Sequence, residues 1–437
     1  MASTYLSRTP SSNGSETQST LSMWFKRSGL ANQAFLYYSD SDSNNKMIIR
    51  FNDDDTFDVR GKIGGSFPLD IKTNRKFRDV GAFYHFVFKF DTTQATESNR
   101  FKMYVNGVQE TSFSTETYPS QNTNLSMNQT NDQVWVGTEA GSSYFDGLMS
   151  HVHWTDGYAY DASAFGETDA TTGIWIAKLN PSVTYGTNGF FLKFNEGALG
   201  TDSSPNGNNF TVNGSLTPTK DTPDNVFATF NPLKDGRINA GTQYKATFSN
   251  GNTTSTFSET TYNTAAFSTL AVSKGKWYTE IKCSNTGGNT KLGLFSADDY
   301  GNNDFSGTYL YDSSGTFGGS AYGNSFTTGD IIQIAFDATN GTLWFGKNGT
   351  WQNSATQSEI ENGTTTNAAA TGIDMTQFWN FGTYGVNGTA FQANFGNGYF
   401  GTTAVSSAGS NGNGAIFEYD VPTGYYALNT KNINTYG

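Results

Sequence analysis

Apolar and polar residues alternate along short runs of this chain, and few stretches show a helical period. Residues 82–91, AFYHFVFKFD, place Tyr84, Phe86, Phe88 and Phe90 on one face. Their neighbours Phe83, His85, Val87 and Lys89 fall on the other face. A period of two with one fully aromatic face is typical of a strand in a sandwich core. Further strands are predicted in LSMWFKRS, VWVGTE and FFLKFNE.

The clearest local element is a hairpin over residues 101–110, FKMYVNGVQE. Asn106-Gly107 tolerates the positive φ angles of a type I′ turn, whose twist suits two antiparallel strands. Turn signals recur every 8–12 residues or so along the chain, which is typical of a β-sandwich or barrel. The pattern therefore predicts an all-β protein of two β-sandwich (jelly-roll) domains.

A stretch rich in Pro and Asp, TPTKDTPDNVFATFNPLKDGR, divides the chain. Proline and aspartate at this density break strands and mark connections between domains. We therefore predict a first domain over residues 1–217, a linker over 218–237 and a second domain over 238–437. No heptad, collagen-like triplet or solenoid period is present, so no fibrous shaft is expected.

Composition narrows the class of partner. Charged residues make up 15% of the chain and the net charge is −12, which argues against binding nucleic acid. No window is long and apolar enough for a membrane span, and the opening MASTYLSRTPSSNGS lacks the pattern of a signal peptide. Cys283 is the single cysteine, so no intramolecular disulfide can form, and we expect it to be a small buried side chain.

Several short motifs between residues 145 and 213 resemble a segment of tailed-bacteriophage virion proteins that contain a laminin-G-like (concanavalin-A-like) sandwich. The matching residues are Phe145-Asp146-Gly147, Val152-His153-Trp154, Asp156-Gly157, Phe165-Gly166-Glu167, Tyr185 to Phe190, Gly200 to Ser204 and Gly207-Asn208-Asn209. Together with the opening TYLSRTPSSNGS, the resemblance covers most of residues 4–214. It implies that the first strand, at Tyr5-Leu6, lies close to residues 190–213.

The second half resembles a SPRY domain, a bent β-sandwich used for recognition. The resemblance covers roughly residues 240–430, and it is carried by a succession of short motifs. These are Gly275 to Ile281, Leu292 to Leu294, Gly329 to Ile332 with Ala335 to Asp337, Leu343 to Gly349, and Gln392 to Gly396. The stretches Ser296–Asn324 and Asn353–Gln377 depart from a compact SPRY pattern.

Aromatic residues among Gly, Ser, Asp and Asn make residues 300–322 our candidate ligand-binding loop, since such side chains form adaptable recognition surfaces that also suit sugar faces. The candidate residues are Tyr300, Phe305, Tyr309, Tyr311, Phe317 and Tyr322. In SPRY domains the ligand surface consists of loops at one end, which favours this stretch. A core strand at Tyr309–Tyr311 explains the same pattern equally well.

Acidic residues after the strand MIIRF supply the candidate metal ligands Asp53, Asp55 and Asp58. Calcium prefers several such oxygens, and laminin-G-like domains often carry it. Aspartate is also a common turn residue, so we expect no obligatory cofactor and leave calcium open. Carboxylates at an exposed hairpin tip are poor general acids, and no strand carries the paired carboxylates of a glycosidase. His151 and His153 predict a hydrogen-bonded surface pair rather than zinc ligands.

These observations predict a non-enzymatic structural protein of the bacteriophage virion, on the outside of the particle. A tail fibre or tail-associated adhesin that binds host-surface glycan or protein is the favoured role. A capsid or neck decoration protein and a carbohydrate-active hydrolase are the alternatives. Other virion proteins are expected partners, together with a homo-oligomer, preferably a trimer, for which the many aromatics offer interface residues.

Overall fold

The protein, described by a computed structural model, is built almost entirely of β-strands in two compact units. The structure describes residues 3–234, 236–239, 242–298 and 307–437. The first unit is Met1–Pro218 and the second is Thr219–Gly437. The all-β prediction is confirmed, and each unit contains two large sheets around a hydrophobic core.

Sixteen strands lie in the described part of the first unit, together with two 3₁₀ turns at Glu97–Asn99 and Ala162–Ala164. In chain order the strands are β1 Tyr5–Arg8, β2 Gln18–Arg27, β3 Ala34–Asp42, β4 Asn45–Phe51, β5 Phe57–Ile63, β6 Ser66–Thr73, β7 Tyr84–Asp91, β8 Phe101–Val105, β9 Val108–Glu110, β10 Phe113–Thr117, β11 Gln133–Val136, β12 Gly147–Asp156, β13 Gly166–Thr168, β14 Trp175–Ala177, β15 Phe190–Leu192 and β16 Thr211–Asn213. The larger sheet has the order β10-β6-β5-β4-β3-β11-β1-β16 and the smaller one β15-β12-β2-β7-β8-β9. Strands β13 and β14 form a separate pair.

The aromatic face predicted for residues 82–91 forms part of the first core. Tyr84, Phe86, Phe88 and Phe90 of β7 all point into it, and Phe86 packs edge-on against Phe57 with ring centroids 4.9 Å apart. Edge-to-face contacts of this kind add to the free energy gained by burying the rings. The predicted face of β7 is therefore confirmed.

Two predicted pairings are also confirmed. In the β8–β9 hairpin Val105 is opposite Val108, and the turn residues have φ of +49° at Asn106 and +82° at Gly107. These values suit a type I′ turn. The first strand pairs with the last strand of the unit, with Leu6 opposite Val212.

The described part of the second unit has eighteen strands and two short helices. The strands are β17 Arg237–Asn239, β18 Thr242–Tyr244, β19 Thr247–Ser249, β20 Thr254–Phe257, β21 Thr264–Val272, β22 Lys276–Asn285, β23 Gly288–Ser296, β24 Tyr309–Asp312, β25 Thr316–Phe317, β26 Ser320–Ala321, β27 Ile331–Asp337, β28 Thr342–Lys347, β29 Thr350–Trp351, β30 Trp379–Val386, β31 Thr389–Asn394, β32 Tyr399–Phe400, β33 Thr403–Ala404 and β34 Tyr426–Ala427. The helices are α1 Gln357–Asn362 and α2 Thr430–Tyr436. One sheet has the order β19-β20-β31-β22-β27-β28-β29, with β34 also on β22, and the other β21-β30-β23-β24-β25-β26. Two further strand pairs, β17 with β18 and β32 with β33, lie outside these sheets.

The stretch predicted as a linker contributes buried residues to the second unit. Ala228 and Phe230 belong to its core, and the Ala228 N–H donates to the carbonyl of Leu428. Prolines keep this stretch out of long strands, but its apolar residues are buried against the sheets. Cys283 is buried in the same core, as expected.

Helices contribute little to either unit. Among the described residues, no helix has the length and apolar character that crossing a membrane requires.

Candidate functional site

The open edge of the first sandwich forms a cleft with a volume of about 240 Å³. On one side, β8 and β9 end the smaller sheet, and on the other side β10 ends the larger sheet. The chain crosses from β9 to β10 through Thr111 and Ser112. Because consecutive strands lie in different sheets here, the two sheets separate at this edge and leave space between their inner faces.

The floor of this edge cleft is apolar. Phe101 and Met103 of β8 line it and are buried, and the half-buried ring of Phe113 from β10 lies beside them. These residues point inward because alternate residues of a strand share a face, and here the inner face reaches the edge of the sheet. The floor thus offers hydrocarbon and aromatic surface to a ligand.

A tyrosine and a glutamate lie together on the rim. The hydroxyl of Tyr118 donates to Oε1 of Glu116 over 2.7 Å. Burial and the neighbouring Glu116 carboxylate raise the pKa of Tyr118 above its ordinary value, so the phenol stays neutral. Glu116 keeps a second carboxylate oxygen for a ligand, and the half-buried ring of Tyr118 lines the cleft beside it.

Polar side chains complete the rim. Glu110 fixes the crossing, because its Oε1 accepts the N–H groups of Thr111 (3.1 Å) and Ser112 (2.9 Å). The remaining rim residues are Ser98, Asn99, Lys102 and Gln109. A rim of amides, hydroxyls, carboxylates and the Lys102 ammonium over an apolar floor can hold a ligand that has an apolar face and several hydroxyl groups.

The aromatic residues predicted to bind ligand pack mainly inside the second unit. Tyr300 and Phe305 lie outside the described residues. Tyr311 is fully buried, its ring stacks on Phe345 with centroids 5.3 Å apart, and its hydroxyl donates to the carbonyl of Asn324. The core-strand alternative is therefore the one that the structure shows for Tyr311.

The other three predicted aromatics are half-buried against the same core. Tyr309 contacts the ring of Trp379, and the Phe317 and Tyr322 rings contact each other with centroids 5.8 Å apart. The hydroxyl of Tyr322 accepts the N–H of Phe345 over 3.3 Å. Tyr309 and Phe317 lie on strands that extend a sheet of the second unit, and Tyr322 directly follows the last of these strands, so their aromatic surface is shared between packing and solvent.

The predicted metal ligands are separated by their ion pairs. Asp53 is exposed, whereas Asp55 is buried between Arg27 and Arg78, at 3.1 Å and 2.8 Å. Asp58 is also buried and pairs with Arg50 at 3.4 Å. Within the described ranges, no group of three or more His, Cys, Asp or Glu side chains could hold a metal ion.

The expectation of exposed tip carboxylates is therefore wrong for Asp58 and also for Asp55. Burial alone would raise its pKa, but the Ala31 N–H and the guanidinium groups of Arg78 and Arg27 outweigh burial, so the pKa lies below its ordinary value. This carboxylate neutralises Arg27, whose side chain is fully buried.

The expectation of a surface histidine pair is wrong for His153. This residue is buried, its ring stacks on Phe191 with centroids 3.8 Å apart, and its Nδ1 is 2.9 Å from the hydroxyl of Tyr185. A register shift between Ser150 and His153, with φ of +47° at His151, interrupts the regular alternation of β12. Period-two reasoning does not detect such a bulge.

His85 is structural, as expected. Its Nδ1 accepts the indole N–H of Trp175 and its Nε2 donates to the Ser22 hydroxyl, each over 2.9 Å. The ring also stacks on Trp24.

The edge cleft was not predicted from the sequence. The hairpin at residues 101–110 was, but the following residues, TSFSTETY, were not considered as a site. Their signal is an aromatic residue at Phe113 and again at Tyr118, with polar residues between them, directly after the predicted hairpin.

Comparison with known proteins supports a lectin-type fold for the first unit. A family model described as the concanavalin A-like lectin/glucanases superfamily, of laminin G type, matches residues 2–162. The first unit is a laminin-G-like sandwich. The edge cleft lies within the matched residues. No curated protein matches the chain.

Solved structures resemble the chain only distantly. The mouse laminin α1 chain, domains LG4-5, is 9% identical, with 89% of this chain and 85% of that chain covered and a TM-score of 0.29. The SPRY domain of human HERC1 is 16% identical, covering 38% of this chain and 96% of that chain, with a TM-score of 0.27. A heptameric SAP-like pentraxin from Limulus polyphemus is 16% identical, covering 36% and 71%, also with a TM-score of 0.27. At these scores the likenesses carry no argument about function.

Proposed function

We propose that this chain is a non-enzymatic binding protein that holds a surface glycan in the edge cleft of its first unit. The observation that carries the proposal is the pairing of Tyr118 with Glu116 above the apolar floor of Phe101 and Phe113. The lectin-type fold of the unit agrees with such a role.

The chemistry of a sugar ring matches this arrangement. A pyranose has an apolar C–H face that packs on an aromatic ring, and hydroxyl groups around its edge that donate to carboxylates. Glu116 accepts such hydrogen bonds, and Gln109 and Asn99 both donate and accept. Glu110 is already engaged by two backbone N–H groups, so one carboxylate of the rim orients the loop rather than the ligand.

Substitutions at the rim test the cleft. Tyr118→Ala and Glu116→Gln should each weaken binding to an array of bacterial surface glycans at least tenfold, about 1.4 kcal/mol, as for a central contact residue. Tyr158→Ala and Glu167→Gln are the controls, because both residues are exposed and lie outside the cleft. Equal affinity of the cleft variants and the wild type would reject the site. Release of reducing sugar by the wild type, lost in Glu116→Gln, would reject the non-enzymatic role.

We place the protein in the virion of a tailed bacteriophage, as a tail fibre or tail-associated adhesin. The support is the resemblance of residues 4–214 to such virion proteins and a composition poor in charge and rich in Asn, Ser, Thr and Gly. The expected partners are a host-surface glycan and other virion proteins. Gold-labelled antibody against this chain should mark the tail of intact virions. Label over the head would indicate a decoration protein, and virions without label would contradict the assignment, provided the antibody binds the native chain.

A further inference from the structure

A second pocket, with a volume of about 310 Å³, lies in the second unit. Its two sides are the sheet that contains β27, β28 and β29, and residues 405–421, which we call the C-terminal strap. The strap packs on the sheet face opposite the sandwich core, where Phe417 contacts the buried ring of Tyr278 with centroids 4.9 Å apart. The volume falls within the range of about 300–1,000 Å³ that small-ligand pockets occupy.

A buried carboxylate in the sheet, that of Glu280 in β22, holds the C-terminal strap in place. Glu280 accepts the N–H groups of Glu418 (2.7 Å) and Tyr419 (2.8 Å), and also the hydroxyl of Tyr278 (3.0 Å). Burial raises the pKa of Glu280 to about 7, and the neighbouring Glu418 carboxylate also raises it. Because its two sides are joined by these hydrogen bonds, the pocket exists before any ligand enters.

A glycine lets the two sides meet closely. Gly349 has φ of +83°, and its N–H donates to Oε1 of Gln333 over 2.8 Å. A Cβ at this position would lie 3.0 Å from the ring of Tyr419. The Tyr419 ring therefore rests on bare backbone and forms one wall of the pocket, while Trp351 lines the sheet side.

The polar groups of the pocket are acceptors and amides. Glu418 binds the N–H and hydroxyl of Ser406, Asp420 accepts the N–H of Ser410 over 2.6 Å, and Gln357 lies beside them. Each carboxylate has about four lone-pair sites, so both can accept further hydrogen bonds. Among the described residues that line the pocket there is neither Lys nor Arg.

These features select a class of ligand. Aromatic walls accept the apolar face of a sugar ring, and carboxylates and amides accept its hydroxyl protons. Two carboxylates without a basic residue among them repel an anion at close range. A neutral pyranose therefore fits the pocket, and a uronic or sialic acid does not.

We propose that this pocket between the sheet and the C-terminal strap, the strap pocket, is a second sugar-binding site, specific for neutral pyranoses. This inference rests on the proposed function as a glycan-binding protein and deepens it, because two sites on one chain allow bivalent attachment to a glycan surface. Bivalency can raise the avidity by about 10²–10⁴ over either site when both can be engaged.

Saturation-transfer NMR on the full chain tests the inference with defined probes. The neutral probes are the methyl glycosides of glucose, galactose, mannose and N-acetylglucosamine, and the acidic probes are glucuronic and N-acetylneuraminic acid. The measurement uses the Tyr118→Ala background, in which the edge cleft is disabled. Ala408→Trp is added to fill the strap pocket from an exposed position, and Ala404→Trp, also exposed but outside the lining, is the matched control.

We expect at least one neutral glycoside to give a signal in the Tyr118→Ala background, and no acidic sugar to do so. Ala408→Trp should abolish that signal and Ala404→Trp should keep it. The inference is overturned if no neutral glycoside gives a signal in this background, or if the signal survives Ala408→Trp. A failure of the proposed edge cleft would show in a different result, namely equal glycan binding by the wild type and by Tyr118→Ala. Even then, a neutral-glycoside signal that Ala408→Trp abolishes would still support the strap pocket.

Discussion

At the scale of single residues, the first unit depends on a buried ion pair. Arg27 is fully buried, Asp55 is its counter-ion at 3.1 Å, and the Arg27 Nη1 also donates to the carbonyl of Phe77 over 2.6 Å. Moving a guanidinium out of water is unfavourable unless a charge and hydrogen bonds compensate. The acidic run at residues 53–55 thus stabilises the fold through one of its members.

Asp55→Asn should lower the free energy of unfolding of the first unit by about 3–5 kcal/mol, because it leaves the Arg27 charge buried without its counter-ion. Asp53→Asn is the control from the same turn; its side chain is exposed, so the change should stay within about 0.5 kcal/mol. Hydrogen exchange of first-unit peptides in increasing urea measures both variants. Equal effects of the two substitutions would mean that Asp55 is not the required counter-ion. If added calcium stabilised the wild type but not Asp53→Asn, the prediction of a calcium site at this turn would be supported again.

At the scale of elements, the β8–β9 turn packs against β14, which carries Trp175. Gly107 has φ of +82°, and a Cβ there would lie 2.7 Å from the ring of Trp175. That indole in turn donates to Nδ1 of His85 over 2.9 Å. The turn glycine is therefore required both for its backbone angle and for the space that it leaves.

Gly107→Ala should destabilise the first unit more than Gly65→Ala does. Gly65, in the β5–β6 turn, has a similar φ of +87°, but a Cβ there would meet only Asn44 Oδ1, at 3.6 Å. The control should lose about 1–2 kcal/mol from backbone strain alone. Gly107→Ala should lose a further 1–3 kcal/mol or so, because the Trp175 ring must move. Urea unfolding followed by hydrogen exchange separates the two, and equal losses would show that the indole is not constrained.

The same elements show what the sequence can predict. The aromatic face of β7 and the Asn106-Gly107 turn follow from local periodicity and local backbone preference, so both were predicted correctly. The burial of Asp55 depends on Arg27 at the end of β2, which is distant in sequence, and no local pattern in an acidic turn indicates it. Likewise, the pattern at Tyr309–Tyr311 fits both a core strand and a recognition loop, and only the packing of Tyr311 on Phe345 shows that the strand forms.

The edge cleft illustrates a limit at the next level. It exists because β10 leaves β9 and pairs with β6, where Thr117 lies opposite Asp70. Residues 111–118 carry no signal for which sheet they will join. Sites formed by such crossings depend on strand order, and strand order is not contained in hydrophobic periodicity.

At the scale of the whole molecule, the two units should respond to acid in opposite directions. All three histidines lie in the first unit. Burial, together with the charge of His151, lowers the pKa of His85 to about 3 and that of His153 well below its ordinary value. Unfolded histidine binds a proton near pH 6.5, so below that pH the unfolded first unit binds more protons than the folded one. Acid therefore destabilises this unit.

The size of the effect follows from proton counting. Each extra proton on the unfolded state costs about 1.4 kcal/mol per pH unit, and the two buried histidines act together just below pH 6.5. Asp132, Asp146 and Glu16 oppose them in part, because burial raises the pKa of each carboxyl, that of Asp132 to about 6, and the folded unit then takes up protons itself. The first unit should accordingly lose at most about 2.8 kcal/mol per pH unit just below pH 6.5, and less towards pH 5.

The second unit contains no histidine, and its buried Glu280 makes the free energy of unfolding rise rather than fall as the pH decreases. Because burial raises the folded pKa of this carboxyl to about 7, above its ordinary value of 4.5, the folded state binds the extra proton in this window, and stability rises as the pH falls from 7 towards 4.5. Hydrogen exchange of the full chain at pH 7.5 and 5, corrected for intrinsic exchange, should show first-unit peptides losing protection and second-unit peptides gaining it. Glu280→Gln should remove the gain and leave the loss, because the amide does not titrate. A gain that persists in Glu280→Gln, or a first unit as protected at pH 5 as at pH 7.5, would show that these buried groups do not set the acid response.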